Sequence, residues 1–100
     1  MARFLIFGIS KDDRYQSDPD AAIDKYFYWR MTNDTDWEKF WDYRQGVVDK
    51  VKAGTVDAYT YRNGKIGAKC TVKVSPNMVE YLKTIPNGDL TDNLSSLPEM

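Results

Sequence analysis

The pair Asn63-Gly64 constrains the fold of this chain more than any other short stretch. Both residues accept the positive φ angles of a two-residue hairpin turn, and Asn-Gly between alternating apolar and polar segments is the strongest short hairpin signal. We therefore predict two antiparallel strands, at residues 57–62 and 65–74. Counting outward from the turn gives these facing pairs: Arg62 with Lys65, Tyr61 with Ile66, and Tyr59 with Ala68.

This register sorts the hairpin side chains onto two faces, because successive residues of a strand point to opposite sides. The predicted core face holds Tyr59, Tyr61, Ile66, Ala68, Cys70, Val72 and Val74. The predicted solvent face holds Thr60, Arg62, Lys65, Gly67, Lys69, Thr71 and Lys73. Its four basic residues could follow a phosphate backbone. Stacking on bases needs aromatic rings on the same face, however, and this register sends the tyrosines to the other side.

Two further strands are predicted in the first third of the chain. Residues 3–10 are apolar on both faces, which is typical of an interior strand or of a short buried helix. Phe4 and Ile6 fall on one side, and Leu5, Phe7 and Ile9 fall on the other. Residues 25–31 are rich in aromatic side chains and favour a second strand, antiparallel to the first. The aspartate-rich residues 11–24 between them indicate a solvated loop.

A helix is predicted over residues 35–53. Thr35 and Glu38 have the spacing of a capping box, in which two side chains satisfy free backbone N–H groups at a helix start. One apolar stripe at helical spacing contains Trp37, Phe40, Trp41, Val48 and Val51. Gly54 suits the residue that closes a helix. Arg44 interrupts the stripe near Gly46, so either Arg44 snorkels or pairs with a carboxylate, or the helix bends into two.

The last 26 residues predict a turn, a strand and a terminal segment that packs on the core, which we call the latch. Ser75-Pro76-Asn77 turns the chain into a short strand at residues 80–85, and Pro86-Asn87-Gly88 forms a second turn. Three leucines then share one helical face, namely Leu90, Leu94 and Leu97. Thr91 or Asp92 can cap this turn of helix, and Pro98 ends it. We expect the leucines to be buried, so that the chain end closes onto the core.

The second half of the chain resembles a family of small bacterial proteins known as a domain of unknown function. The resemblance covers residues 47–99: a short helix that ends in Gly54, a hairpin, and a characteristic tail. Most of the resemblance lies in the tail, at Tyr81, Leu82, Lys83, Thr84, Gly88, Asp92, Asn93, Leu94, Leu97, Pro98 and Glu99. Ser95 stands where the family usually has a second leucine. The resemblance implies a fold and a bacterial source, and it implies no activity.

Together these elements predict one α+β domain over residues 1–100. Its centre is a twisted antiparallel sheet of four to five strands, with one main helix packed on one face. The order along the chain is β-β-α-β-β-β, followed by a short C-terminal helical turn.

The residue inventory argues against catalysis and metal binding. The chain has no histidine and a single cysteine, Cys70, which falls on the predicted core face, where a thiol is inert. Without histidine a zinc site of ordinary composition cannot be assembled, and the acidic loop lacks the ligand spacing of an EF-hand. We therefore expect no catalytic residues, no metal and no cofactor.

The aromatic surplus is the strongest indication of function. Fourteen per cent of the residues are aromatic, and residues 26–29 place them on both faces of one strand. The candidate interface residues are Tyr26, Tyr28, Trp29 and Trp37. They predict contact with another protein or with a second copy of the chain, unless a second internal layer covers them.

The alternative is a weak nucleic-acid or nucleotide binder that uses Arg62, Lys65, Lys69 and Lys73. The net charge of −1 argues against strong general attraction to nucleic acid or to anionic membranes. The longest apolar run, residues 4–7, is far below the roughly 20 residues that cross a bilayer. It also lacks the features of a signal peptide, so we expect a cytoplasmic protein that does not contact membranes.

Overall fold

Six strands form one mixed sheet with a helix on one face, in a computed structural model that describes residues 2–12, 19–86 and 93–100. The elements are β1 (Ala2–Lys11), β2 (Ile23–Met31), β3 (Trp37–Tyr43), α1 (Arg44–Lys52), β4 (Val56–Arg62), β5 (Lys65–Val74), β6 (Glu80–Thr84) and a 3-10 turn (Leu94–Ser96). The strand order is β3-β2-β1-β4-β5-β6. Within these ranges no helix is long and apolar enough to cross a membrane.

The α+β class and the single main helix on one sheet face are confirmed. The sheet has six strands, one more than the upper prediction, because an additional strand precedes the helix. It is also mixed, since β1 and β4 run parallel while the other neighbours run antiparallel. A parallel pair needs a crossover connection, and here β2, β3 and α1 together return the chain to the end of the sheet where β1 began.

The prediction of a helix over residues 35–53 is wrong in its first half. Residues 32–36 form a tight turn in which the Asn33 side chain accepts hydrogen bonds from the backbone N–H groups of Thr35 and Asp36. Thr35 therefore takes part in a hairpin turn and caps no helix. Trp37–Tyr43 then pairs with β2 over seven successive residues without a register shift. Aromatic residues suit a strand at least as well as a helix, and pairing with β2 decides between them.

Helix α1 begins at Arg44, so the predicted bend near Gly46 does not arise. The Arg44 guanidinium donates to the backbone carbonyls of Ala21 and Ile23, at 3.1 and 3.0 Å. This holds the helix start against the segment that leads into β2. Val47 and Val48 are fully buried against the sheet. Gly54, with φ of 74°, closes the helix as expected.

Strand β1 is buried on both faces, as predicted for an interior strand. Phe4, Leu5 and Ile6 are 2% exposed or less. A bulge between Ile6 and Gly8 then changes the alternation, so that Ile9 lies opposite Tyr26 on the helix side of the sheet. The predicted grouping of Ile9 with Leu5 and Phe7 is therefore wrong, because the register shift reverses the side on which the following residues fall.

The hairpin at Asn63-Gly64 is confirmed, and both turn residues have positive φ angles of 53° and 75°. The pairs nearest the turn are those predicted, but Tyr59 lies opposite Lys69 instead of Ala68. Strand β5 contains one extra residue between these pairs. The buried Thr60 hydroxyl accepts a hydrogen bond from the Ala68 N–H at 3.0 Å beside the bulge. Beyond the bulge, Ala68 and Cys70 face the core as predicted. Between the turn and the bulge, and along β4, the faces are the reverse of the prediction: Tyr59, Tyr61 and Ile66 lie away from the helix, and Thr60, Arg62 and Lys65 lie on the helix side.

The C-terminal latch is present. Leu94 and Leu97 are buried in the main core, and the chain after them pairs with β1. The Ile9 N–H donates to the Pro98 carbonyl at 3.0 Å, and the Met100 N–H donates to the Ile9 carbonyl at 2.8 Å. The tail thus occupies the edge of β1 that β4 leaves free after Ile6. Residues 87–92, which include the predicted Leu90 and the capping residues Thr91 and Asp92, lie outside the described ranges.

The burial of the latch predicts its contribution to stability. Leu94→Ala removes a fully buried side chain from the core, so we expect the free energy of unfolding to fall by about 2 to 5 kcal/mol. Urea denaturation followed by circular dichroism measures the change. Ile85→Ala is the matched control, because Ile85 is exposed and should cost less than about 1 kcal/mol. Equal effects of the two substitutions would contradict a buried latch.

Candidate binding surface

The sheet presents two chemically different faces. The helix side carries α1 and the main core, and the outer face is the side away from α1. Facing pairs in the strand registers assign residues to the outer face, since directly opposed residues share a face. Its aromatic members are Phe7, Phe27, Trp29, Trp37, Trp41, Tyr43, Tyr59, Tyr61 and the buried Tyr81.

Four of these rings, Phe7, Trp29, Trp37 and Tyr61, form a contiguous group that we call the outer aromatic cluster. The centroid distances are 6.0 Å from Phe7 to Trp29, 6.2 Å from Trp29 to Trp37, and 5.8 Å from Trp37 to Tyr61. All four side chains are half-buried. Trp37 and Tyr61 stand on β3 and β4, which β2 and β1 separate, so their side chains extend across the outer face to meet.

Lysine side chains lie over aromatic rings of the outer face, both inside and outside this cluster. The Lys39 Nζ stands 5.0 Å from the Trp29 ring and 5.5 Å from the Phe7 ring. The Lys25 Nζ stands in the same way over the rings of Trp41 and Tyr43, at 5.3 and 5.6 Å. Each arrangement has the geometry of a cation–π contact. The outer face therefore combines flat apolar surface with positive charge.

Two of the four predicted interface residues belong to the core. Tyr26 is fully buried, and its hydroxyl accepts a hydrogen bond from the Leu82 N–H across the helix side at 3.3 Å. Tyr28 is buried against Phe4, with ring centroids 4.2 Å apart. Burial raises the pKa of both tyrosines, so both hydroxyls stay protonated. The structure brings only Trp29 and Trp37 together on the outer face.

The four predicted basic-face residues are divided between the two sides. Lys69 and Lys73 lie on the outer face, whereas Arg62 and Lys65 face the helix side. The Arg62 guanidinium donates to the carbonyl and hydroxyl oxygens of Ser96, at 2.6 and 3.0 Å, and so fastens the latch. The prediction of one continuous basic face fails because the β5 bulge lies between Lys65 and Lys69.

The outer face is nevertheless strongly cationic. Its basic residues at paired strand positions are Arg3, Lys25, Lys39, Lys69, Lys73 and Lys83. Among the paired positions of the described strands, Asp57 is the one acid on this face, and it lies 3.6 Å from Lys69. The near-neutral charge of the whole chain therefore hides an uneven distribution.

The helix side contains a separate open cleft of about 450 Å³ beyond the end of α1. Aromatic and aliphatic side chains of β1, β2, β3 and β4 line it, together with the charged residues Arg30, Asp42 and Lys50. Asp42 and Lys50 lie 3.8 Å apart. This cleft lies on the opposite side of the sheet from the outer aromatic cluster, although Trp41 of the edge strand β3 lines it as well.

The residue types most common in metal sites are not grouped in the described part of the chain. The Cys70 side chain is buried on the helix side. Within the described ranges, no group of three or more cysteine, aspartate or glutamate side chains is placed to hold a metal ion. In the acidic loop, Asp20 is buried and accepts a hydrogen bond from the Ser95 N–H at 3.1 Å. Residues 13–18 of that loop lie outside the described ranges.

Sequence reasoning missed Phe7, Lys39 and Tyr61 as members of the site. Lys39 and Trp37 fall within the predicted helix, where they could not both stand beside Trp29. Tyr61 was assigned to the core through an uninterrupted register. A glycine within a strand often marks a bulge, and Gly67 was the available signal for the shift in β5.

Comparison with known proteins identifies a family. A family model described as "Protein of unknown function (DUF3892)" matches residues 30–98. The match runs from the end of β2 to the latch, and so it includes Trp37 and Tyr61 of the outer aromatic cluster. No curated protein and no solved structure matches the chain significantly.

The buried position of Tyr26 predicts a structural effect of its hydroxyl. Tyr26→Phe leaves the buried Leu82 N–H without its acceptor, so we expect the free energy of unfolding to fall by about 1 to 3 kcal/mol. Denaturant titration measures the loss. Tyr43→Phe serves as the control, because Tyr43 is 59% exposed and the change should stay within about 0.5 kcal/mol. A neutral Tyr26→Phe would show that this hydrogen bond contributes nothing.

Proposed function

The chain belongs to the DUF3892 family of proteins of unknown function, and we propose that it is a non-enzymatic binding module whose contact surface is the outer aromatic cluster. The partner is another protein or a second copy of the chain. The observation that carries this proposal is the joined group of four half-buried rings with Lys39 above two of them. Tryptophan and tyrosine dominate the binding energy of protein interfaces, because they bury a large area and retain a polar group.

The position of β3 supports a protein partner. It is an edge strand of the sheet, and it pairs with β2 without a bulge or a proline. Exposed edges of this kind can accept a further strand from another chain. Trp41 and Tyr43 on the outer face of this strand are 52% and 59% exposed. A partner strand added to β3 would cover these rings and extend the outer aromatic cluster.

A second candidate is single-stranded nucleic acid bound to the same outer face. The specific observation in its favour is the bulge in β5, which places Tyr59 opposite Lys69. Aromatic rings for stacking and lysines for phosphates therefore share one face, as this mode of binding requires. The candidate basic residues are then Lys25, Lys39 and Lys69. Arg62 stands beside the outer aromatic cluster, in a pocket that Phe7, Trp29 and Tyr61 also line, but its guanidinium is bound to Ser96. Lys65 faces the helix side.

We also propose that the protein works in the bacterial cytoplasm. The support is the resemblance of the tail to a family of small bacterial proteins and the presence of a single cysteine, Cys70. A chain with one cysteine cannot form an internal disulfide, which suits a reducing compartment.

The protein-contact proposal predicts site-specific crosslinking. A photo-crosslinking phenylalanine derivative at position 41, in cells of the natural host, should give one product of defined mass, either a dimer of the chain or an adduct with one partner. The same derivative at position 74 is the matched control, because Val74 is 53% exposed but faces the helix side. Trp29→Ala should weaken the contact by about thirtyfold and remove the product. Equal yields at the two positions, or no product at position 41, would refute the proposal.

The salt dependence of binding distinguishes a protein partner from single-stranded nucleic acid. A fluorescein-labelled single-stranded oligothymidine of about twelve nucleotides would, on the second candidate, contact about three lysines. Its affinity should then fall roughly twentyfold between 50 and 200 mM salt. A contact dominated by aromatic burial should change less than about twofold over this range. Fluorescence anisotropy measures the affinity for the oligonucleotide. Sedimentation equilibrium or crosslinking yield measures the strength of the protein contact.

A further inference from the structure

The cleft on the helix side has the features of a small-ligand site that is independent of the outer face. Helix α1 is only nine residues long and leaves part of the sheet near β3 uncovered. The uncovered region forms the floor of the cleft, and Lys50 of α1 and Thr55 after it stand at one wall. Its volume of about 450 Å³ falls in the range of small-molecule pockets.

The floor contains a row of three nearly parallel aromatic rings on neighbouring strands. The Phe4 and Tyr28 rings stack at 4.2 Å with an interplanar angle of 25°. The Tyr28 and Phe40 rings are 6.2 Å apart at 27°. Phe4 and Tyr28 are buried. Phe40 ends the row on the edge strand β3 and is 37% exposed. A flat ring can therefore continue the row by stacking against Phe40.

A cation stands over each end of this row. The Arg30 guanidinium lies 5.9 Å from the Phe40 ring, and the Lys50 Nζ lies 5.7 Å from the Phe4 ring. The acid that lines the cleft, Asp42, is engaged by Lys50 at 3.8 Å, which leaves Arg30 as the cation nearest the exposed ring. Glu38 lies opposite Arg30 in the strand register but does not line the cleft. The charge in the cleft thus favours an anion.

We propose that this cleft binds a small molecule in which a planar aromatic ring carries an anionic group, a phosphate or a carboxylate. The ring stacks on Phe40 at the end of the aromatic row. The anion is held by Arg30, whose planar guanidinium can bind both kinds of oxyanion through two parallel hydrogen bonds. Lys50 contributes positive charge from the opposite wall.

The proposal is distinct from the protein contact on the outer face. The cleft and the outer aromatic cluster lie on opposite sides of the sheet, and they share no residue. Trp41, at the edge of β3, is the outer-face residue that also lines the cleft, so the substitutions that test the cleft do not include it. Loss of one activity therefore leaves the other measurable.

The test is a titration of the isotope-labelled protein followed by two-dimensional NMR, with adenosine monophosphate and salicylate as probes. We expect saturable shifts centred on Arg30, Phe40, Lys50 and Thr55 with at least one of the two. Binding of adenosine monophosphate alone identifies phosphate as the anion, and binding of salicylate alone identifies carboxylate. For a phosphate ligand, neutral adenosine and inorganic phosphate should each bind at least about tenfold more weakly, because each lacks half of the recognised structure. For a carboxylate ligand, neutral phenol supplies the ring alone and acetate supplies the anion alone. Each should likewise bind at least about tenfold more weakly than salicylate.

Substitutions then assign the site. Arg30→Gln should weaken binding about tenfold and Phe40→Ala about fivefold. Both side chains are exposed, so both variants should fold, and Lys50→Gln provides a second test of the charge. Lys39→Gln on the outer face is the matched control, since Lys39 also stands over aromatic rings, and it should leave binding unchanged. The proposal is overturned if neither probe saturates, if the isolated anion binds as well as the whole ligand, or if Lys39→Gln weakens binding as much as Arg30→Gln.

Discussion

The structure depends on β1, which is buried on both faces and hydrogen-bonded on both edges. Strand β2 pairs along one edge, and the other edge is divided between β4, up to Ile6, and the C-terminal tail, at Ile9. Segments from the start, the middle and the end of the chain thus meet on a single strand. Since each of these pairings needs β1 in place, we expect the helix side and the outer face to form together.

Two bulges decide what each face of the sheet contains. The bulge at Phe7 keeps Ile9 on the helix side, where it joins the core, and leaves Phe7 on the outer face beside Trp29. The bulge in β5 lets Ala68 and Cys70 face the core while Lys69 lies beside Tyr59. In each case one additional residue in one strand changes the side of every residue that follows. The chemistry of the candidate surface therefore depends on backbone irregularities more than on the choice of side chains alone.

Local signals predicted much of this fold. The Asn63-Gly64 turn, the interior character of β1, the strand at β6 and the burial of Leu94 and Leu97 each follow from residues close together in sequence. The misassignments came from long-range effects. Residues 37–43 fit a helical stripe as well as a strand, and only pairing with β2 selects the strand. Tyr26 is aromatic and lies in a strand, but its burial depends on Leu82, which is 56 positions away.

Bulk composition was the least informative evidence about binding. A net charge of −1 argued against an anionic partner, yet the outer face carries several lysines and, at paired positions of the described strands, one acid. Acidic groups are found instead on the helix side, where Asp42 and Glu80 pair with lysines of α1. These pairs balance charge along α1, whereas the paired positions of the outer face in the described strands hold six basic residues and one acid. Because electrostatic attraction falls off within about 8 to 10 Å in physiological salt, a partner responds to the face it meets and not to the charge of the whole chain.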